Sequence, residues 1–519
     1  MAHEYINRRK RVTKFTEDRK GMIIKMKKIV IIGGGIAGLS AGVYGLLAGY
    51  EVSIYEKNRI AGGECMGWNR KGYHIDNCIH WLTGTKKGTE LRKVWETVGA
   101  LSPDSEFAKT QAFYTSCVGN QRATLWNDLD RTEKELLELA PEDEAEIRKF
   151  IEHVRYAQSC EVPSKKPMDM MGIRDYIEMG KGMVDMPKVM KEYGEIDLED
   201  LAGRFQNPVL KKLFCDYLPK EYTASSFLVS YGTMTCGNGA IPAEGSLAMT
   251  NRMVKRFKEL GGRLFCDAPV KRILINKKKA CGIELENGEQ IEADYVISAA
   301  DTRVLFEKFI GDHYMDKRWC EVYSDTKRFP LTSGFQIAYA IDLANYHEKD
   351  TVFFDCAPFM IGENKVERIS VKSFEYEKTF APEGKTVLQA NVVQSDDDFA
   401  FWSSLSKEEY KKKKEELIRI MTDRIVAQFP ELEGKIECLD CWTPMTYNRY
   451  CNAYHGAYMS FITKKQEKAF RIKGTVKGIS NLYIASQWIN APGGLPVAVV
   501  AGKFAIQRIL KKEHKSIEI

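Results

Sequence analysis

Gly33, Gly35 and Gly38 punctuate the run Gly33-Gly-Gly-Ile-Ala-Gly38, which follows the β-branched stretch Lys28-Ile-Val-Ile-Ile32 and precedes an apolar helical pattern reaching Leu47. Strand, tight turn and helix in that order make a cradle for a dinucleotide diphosphate. Gly33 permits the turn, and Gly35 lets backbone approach the phosphates. The amides around Ile36 and Ala37 lie at the positive end of the helix, and Gly38 lets that helix pack closely on the strand. A second run, Glu51-Val-Ser-Ile-Tyr55, ends at Glu56, 23 residues after Gly33. A carboxylate there accepts hydrogen bonds from a ribose diol and repels a 2′-phosphate, so the expected cofactor is FAD or NAD rather than NADP.

Further along, Glu56-Lys-Asn-Arg-Ile-Ala-Gly-Gly63 and Gly72-Tyr-His-Ile-Asp76 resemble the extended fingerprint of two-dinucleotide-fold flavoproteins. Asn481-Leu-Tyr-Ile-Ala-Ser-Gln-Trp488 and Pro492-Gly-Gly-Leu-Pro496 resemble the segment that closes over the flavin in those proteins. The stretch from Val270 through Asp301 is similar to their strand pair that brings backbone to the adenine. The order and spacing resemble the phytoene desaturase, carotenoid isomerase and retinol saturase family. That resemblance implies FAD, held by Gly33, Gly35, Ile36, Ala37, Gly38, Glu56, Lys57, Gly62, Gly63, Glu64, Val270, Gln487, Gly494, Leu495 and Pro496. It also implies chemistry on carbon–carbon bonds of an apolar isoprenoid or polyene lipid: desaturation, saturation or isomerisation. Three departures mark a divergent branch. Glu64 replaces the usual arginine, Ser486-Gln487 replaces Gly-Asp, and Ala243-Glu244-Gly245 stands where paired glycines are usual.

No Ser/His/Asp triad is evident, and no metal site is expected. Candidate catalytic residues lie beside the expected flavin, in Ile75-Asp-Asn-Cys-Ile-His-Trp-Leu82. His80 has the chemistry to move a proton at substrate carbon near neutral pH, Trp81 to pack on a polyene, and Asp76 to support them. Against this stands an ordinary packing role for His80. Tyr454 and His455 form a second cluster that no motif supports. Between Pro167 and Met190 the chain carries seven of its 19 methionines. Flexible thioethers suit either core filling or an adaptable apolar pocket.

These residues need elements to position them. Apolar spacing over Ser406–Phe429 predicts an amphipathic helix, and alternation over Ile436–Trp442 predicts a strand carrying the CxxC pair Cys438 and Cys441. The fold expected is α/β: a Rossmann-like FAD-binding domain from 26–100, 240–310 and 470–519, with a mixed-sheet, helix-capped substrate lobe from 101–239 and 311–469. A length of 519 residues with 44% hydrophobic and 29% charged composition fits such a two-lobed globular chain. The net charge of +6 is concentrated in the first 28 residues, whose ten Lys/Arg against three acids leave the rest at −1. That distribution excludes a basic nucleic-acid footprint, and residues 1–25 read as a disordered basic tail. Thirteen cysteines without framework spacing indicate free thiols in a reducing compartment. The uncharged runs Ile29–Tyr50 and Gly478–Gly502 are broken by glycine and proline and read as buried strands and helices, not membrane spans. A cytoplasmic protein is expected, with peripheral membrane contact as a route for collecting lipid. No second GxGxxG in a strand-turn-helix setting occurs, so no dedicated NAD(P)H domain is expected, and the sequence does not name the electron acceptor or donor. Two alternatives remain open: a flavoprotein fatty-acid hydratase, isomerase or amine oxidase, and a flavin-free lipid-binding chaperone of the GDP-dissociation-inhibitor type.

Overall fold

In the computed structural model, the β-branched segment Lys28–Ile32 is the central strand of a five-stranded parallel sheet. The order is Arg263–Phe265, Glu51–Tyr55, Lys28–Ile32, Tyr295–Ser298, Leu482–Ile484. Residues 15–17, 23–343, 346, 350–462, 464–465 and 471–519 are described. The central strands are buried on both faces, which is why they read as continuous Ile/Val runs without alternation. Helix Ile36–Leu47 follows the first strand and packs against the C-terminal helix Leu495–Lys512. Their contact is close enough that a Cβ on Gly502 would meet the Ala37 carbonyl oxygen at 2.5 Å. The two long uncharged runs are thus strand–helix units. Among the described residues, no helix is long and apolar enough to cross a membrane.

A three-stranded antiparallel sheet, Val270–Asn276, Lys279–Leu285 and Gln290–Glu292, sits beside the parallel sheet. A separate seven-stranded mixed sheet has the order Ile436–Trp442, Ser333–Ile341, Thr386–Gln394, Asn364–Ser373, Thr351–Ile361, Ala112–Val118, Gln121–Trp126. One of its faces packs on helix Lys407–Gln428, where Leu417, Met421 and Ile425 meet Phe335, Ile337, Val371 and Leu388. That helix starts at a capping box of Ser406 and Glu409, which satisfies orphan amides of its first turn. Helices Leu129–Leu139, Glu144–Ala157, Pro208–Asp216 and Ala224–Thr235 cover the edge strands through a second apolar core.

Among the described residues, none of the thirteen cysteines forms a disulfide. Within the basic segment 1–25, Phe15–Glu17 pairs antiparallel with Ile23–Lys25. The rest of the segment lies outside the described residues. Glu244, where paired glycines are usual, takes the left-handed conformation a glycine would supply, at φ +63°.

Candidate flavin and substrate site

The turn after the first strand is shaped by two demands on its glycines. Gly33, at φ +99°, donates its amide to the Tyr55 carbonyl at 2.9 Å, tying the turn to the neighbouring strand. At Gly38 a Cβ would lie 2.0 Å from the Gly33 carbonyl oxygen, so only glycine lets the helix start this close to the turn. Gly35 forms an isolated backbone bridge with Gly62, and no side chain caps the helix that begins after it. A second helix, Leu495–Lys512, also begins without a side-chain cap, after Gly494 at φ +89°. Both N-termini open on one cavity of about 1110 Å³. Two positive helix ends facing a shared space favour a polyanion such as a diphosphate.

Gly33, Gly35, Ile36, Ala37, Glu56, Lys57, Gly62, Gly63, Glu64, Val270, Gln487, Gly494, Leu495 and Pro496 all line this cavity. Gly38 does not; it serves the turn from behind. The Glu56 carboxylate is buried and accepts hydrogen bonds from the Gly34 amide at 2.7 Å and from the Asn58 amide at 2.9 Å. These bonds fix it at the end of its strand, on the cavity wall. The Lys57 ammonium donates to the Arg449 carbonyl at 2.9 Å and to Asn452 Oδ1 at 2.7 Å, so it ties down a loop.

Two departures from the family pattern meet each other. Gln487 Nε2 donates to Glu64 Oε2 at 3.3 Å, while Gln487 Oε1 accepts from the Gly494 amide at 2.7 Å. Burial, with the Asp301 carboxylate adding to it, pushes the Glu64 carboxyl up to about 8 against the Gln487 hydrogen bond. Burial likewise raises Asp301 to about 7, opposed by amide donors from Tyr454 and Arg303. Both groups line the cavity, and at neutral pH Glu64 is largely an uncharged acid. A neutral wall there avoids repelling a diphosphate.

The other end of the cavity is built from the seven-stranded sheet and the loop after strand Tyr73–Asp76. Asp76 does not reach the cavity. Its carboxylate accepts from the Ser246 amide and hydroxyl at 2.5 and 2.6 Å and from the Cys78 amide at 3.2 Å. It therefore fastens helix Gly245–Glu259 to the loop. His80 does line the cavity and is open to it. The surrounding protein, and then the Lys372 ammonium, hold its imidazole well below the usual range, at about 3. That environment favours the neutral imidazole at pH 7. Lys372 is the group in this neighbourhood that titrates near neutrality. Burial lowers it to about 8, with Asp76 and Cys78 opposing. Its ammonium donates to the Ile79 carbonyl at 3.1 Å.

Trp81 belongs to an aromatic wall, edge-on to Phe113 at 5.4 Å and tilted against Tyr217 at 5.6 Å. Trp81, Tyr217 and Phe353 line the cavity together. Met168, Met179, Met183, Met186 and Met190 of the methionine-rich stretch line it as well. Tyr454 and His455 do not. His455 stacks on Tyr454 at 3.9 Å and hydrogen-bonds Asp396 at 3.0 Å, a local packing arrangement. Among the described residues, no group of three or more His, Cys, Asp or Glu could hold a metal ion. Sequence reading missed Lys372, Gln336, Gln389, Asn391 and the site role of Asp301. The available signal was polar residues at every second position of otherwise apolar strands, as in Ser370-Val-Lys372 and Gln389-Ala-Asn391.

The model of the flavin containing amine oxidoreductase family matches residues 36–510. The 4,4'-diaponeurosporene oxygenase of Staphylococcus aureus (strain MW2) is 21% identical over 538 residues, covering 94% of this chain and 99% of the relative. Among solved structures, an oxidoreductase from Methanosarcina mazei superposes with a TM-score of 0.58 at 16% identity, covering 93% of this chain and 100% of that one. A putrescine oxidase variant superposes with a TM-score of 0.59 at 14% identity, covering 94% and 99%. These structural likenesses show the fold.

Proposed function

The chain belongs to the flavin containing amine oxidoreductase family, and from that premise we propose that this FAD-dependent enzyme oxidises a long polyene or isoprenoid lipid at its carbon–carbon framework. One observation carries the reading: the dinucleotide cradle, the aromatic wall and five methionines of one short stretch line a single cavity. Its volume of about 1110 Å³ exceeds the roughly 300–1,000 Å³ of clefts built for one small ligand. The carotenoid-pathway name of the Staphylococcus aureus relative supports the substrate class.

FAD, when bound, supplies a two-electron acceptor for hydride. The chain supplies orientation, dryness and a proton site. Trp81, Tyr217 and Phe353 offer π faces to a conjugated chain. The methionines bend to its shape, and each buried methylene contributes about 0.8 kcal/mol, so affinity for a long chain needs no charged anchor. Helix Ile173–Gly182 buries none of its residues, and Ile173, Ile177 and nearby Val184 are 82%, 53% and 68% exposed. This apolar surface, on the same segment as the lining methionines, supports lipid entry from a membrane. An amine substrate fits less well, because a protonated amine would meet the Lys372 ammonium.

The test is product analysis after incubating the FAD-loaded protein with 4,4'-diaponeurosporene in liposomes. A product lighter by two hydrogens, or carrying new oxygen, supports the reading. An unchanged polyene alongside oxidised putrescine in a parallel incubation overturns it.

A further inference from the structure

The seven-stranded sheet turns a polar face to the cavity, where a site for pure hydrocarbon would be apolar. Ser370 and Lys372 lie on one strand, Gln389 and Asn391 on the next, and Gln336 on the one after that. Register places Lys372 opposite Gln389, Ser370 opposite Asn391, and Asn391 opposite Gln336. Directly opposed residues of antiparallel strands share a face, so these side chains form one contiguous patch, and all five line the cavity. The alternate residues, Val371, Leu388, Ala390 and Ile337, belong to the core beneath helix Lys407–Gln428.

Gln389 and Gln336 are already paired, Gln389 Nε2 donating to Gln336 Oε1 and Gln336 Nε2 to the Tyr447 hydroxyl at 2.9 Å, while the rest of the patch holds unmet hydrogen-bonding capacity. Asn391 Oδ1 is buried without a partner, and so is Thr332 Oγ1 further along the same edge of the cavity, on a residue only 3% exposed. Lys372 is 8% exposed; its ammonium has the Ile79 carbonyl and the Phe374 ring face, 4.8 Å away. Among the described residues, no carboxylate lies within ion-pair distance of it. The nearby Asp76 carboxylate is committed to Ser246 and Cys78. A buried ammonium with one carbonyl partner is costly, and an anionic ligand relieves that cost.

We propose that this patch receives a carboxylate at one end of the long apolar substrate, paired with Lys372 and hydrogen-bonded by Asn391. The proposal rests on the lipid reading above and narrows its substrate class to amphiphilic polyene or isoprenoid acids. The Asn391 amide can be turned over to present its Nδ2 donors, because its two orientations differ only in the hydrogen-bond network they satisfy. A hydrocarbon end would leave Lys372 and Asn391 as they are, so the site discriminates against it.

Isothermal titration of the FAD-loaded protein at pH 7 with all-trans-retinoic acid and with methyl retinoate tests this. The acid is expected to bind at least about 30-fold more tightly than the ester. Lys372→Met is expected to reduce that ratio to about threefold or less while leaving flavin content and ester affinity unchanged. Should that variant not fold, Asn391→Leu is expected to lower acid affinity about fivefold with ester affinity unchanged. Equal binding of acid and ester by the wild-type protein overturns the carboxylate site and leaves the lipid reading standing. Failure of both compounds to bind overturns the lipid reading as well.

Discussion

Two glycines three residues apart should respond in opposite ways to the same methyl group. A Cβ at position 38 would sit 2.0 Å from the Gly33 carbonyl oxygen, a backbone atom of the turn. Ordinary contact needs more than 3 Å, so the Gly38→Ala helix must move by over 1 Å or the turn must distort. Overpacking of that kind costs about 2–4 kcal/mol, or roughly 2–4 °C in Tm for a chain of this size. At Gly35 the nearest atom to an added Cβ is the Gly62 carbonyl oxygen at 3.8 Å, and the backbone φ of −73° suits alanine. Gly35→Ala should therefore fold normally as apoprotein, within about 1 °C of wild type. Its methyl group would stand between the backbone and the diphosphate. Losing one or two charge-assisted hydrogen bonds costs about 2–3 kcal/mol, which is about a 30- to 150-fold loss of FAD affinity. Apoprotein melting and FAD titration by flavin fluorescence separate the two effects. Unchanged FAD affinity in Gly35→Ala would refute the placement of the diphosphate at this turn, and an unshifted Tm in Gly38→Ala would refute the packing.

Glu64→Gln should make the apoprotein more stable than wild type at alkaline pH. The folded-state carboxyl is raised to about 8 from 4.5, so the wild-type contribution is fully present below 4.5 and is lost as pH rises toward 8. The variant's advantage should grow across that window to the order of 2 kcal/mol after solvent screening, read from denaturant midpoints at several pH values. In kcat/KM profiles with a polyene acid, a limb near pH 8 should appear as Lys372 loses its charge; His80→Gln should leave the profile's shape unchanged, because the imidazole is already neutral at pH 7. Asp76→Ala should destabilise the protein by about 2–4 kcal/mol by releasing the buried Ser246 amide and hydroxyl, seen as a lower denaturant midpoint. Trp81→Ala should raise KM for a conjugated lipid about tenfold with little change in flavin content, measured by steady-state kinetics.

The cofactor half of the site was legible because its residues are local in sequence. Gly33 to Gly38 and Glu56 report one strand-turn-helix-strand unit, and the physical need for each glycine is set by neighbours within a few residues. The helix Lys407–Gln428 and the strand Ile436–Trp442 were legible for the same reason, through apolar spacing and a period of two. The substrate half was not. Lys372 becomes meaningful only when strand register sets it opposite Gln389 and when Ile79, 293 residues earlier, offers its carbonyl. The same holds for Asp76, whose partners lie on the helix starting at Gly245, and for His80, whose basicity is set by the cavity packing and by Lys372. Glu64 and Gln487 looked like two separate departures in sequence; in space they are one compensated pair, 423 positions apart.

Anaerobic mixing of the FAD-loaded protein with 4,4'-diaponeurosporene and, in parallel, with the polyene acid all-trans-retinoic acid, followed at the flavin absorbance band near about 450 nm, tests the central claim most directly. Oxidation of a polyene predicts that the band bleaches on mixing and recovers when an oxidant is admitted. A band that stays unchanged with the polyene and bleaches with putrescine would contradict it.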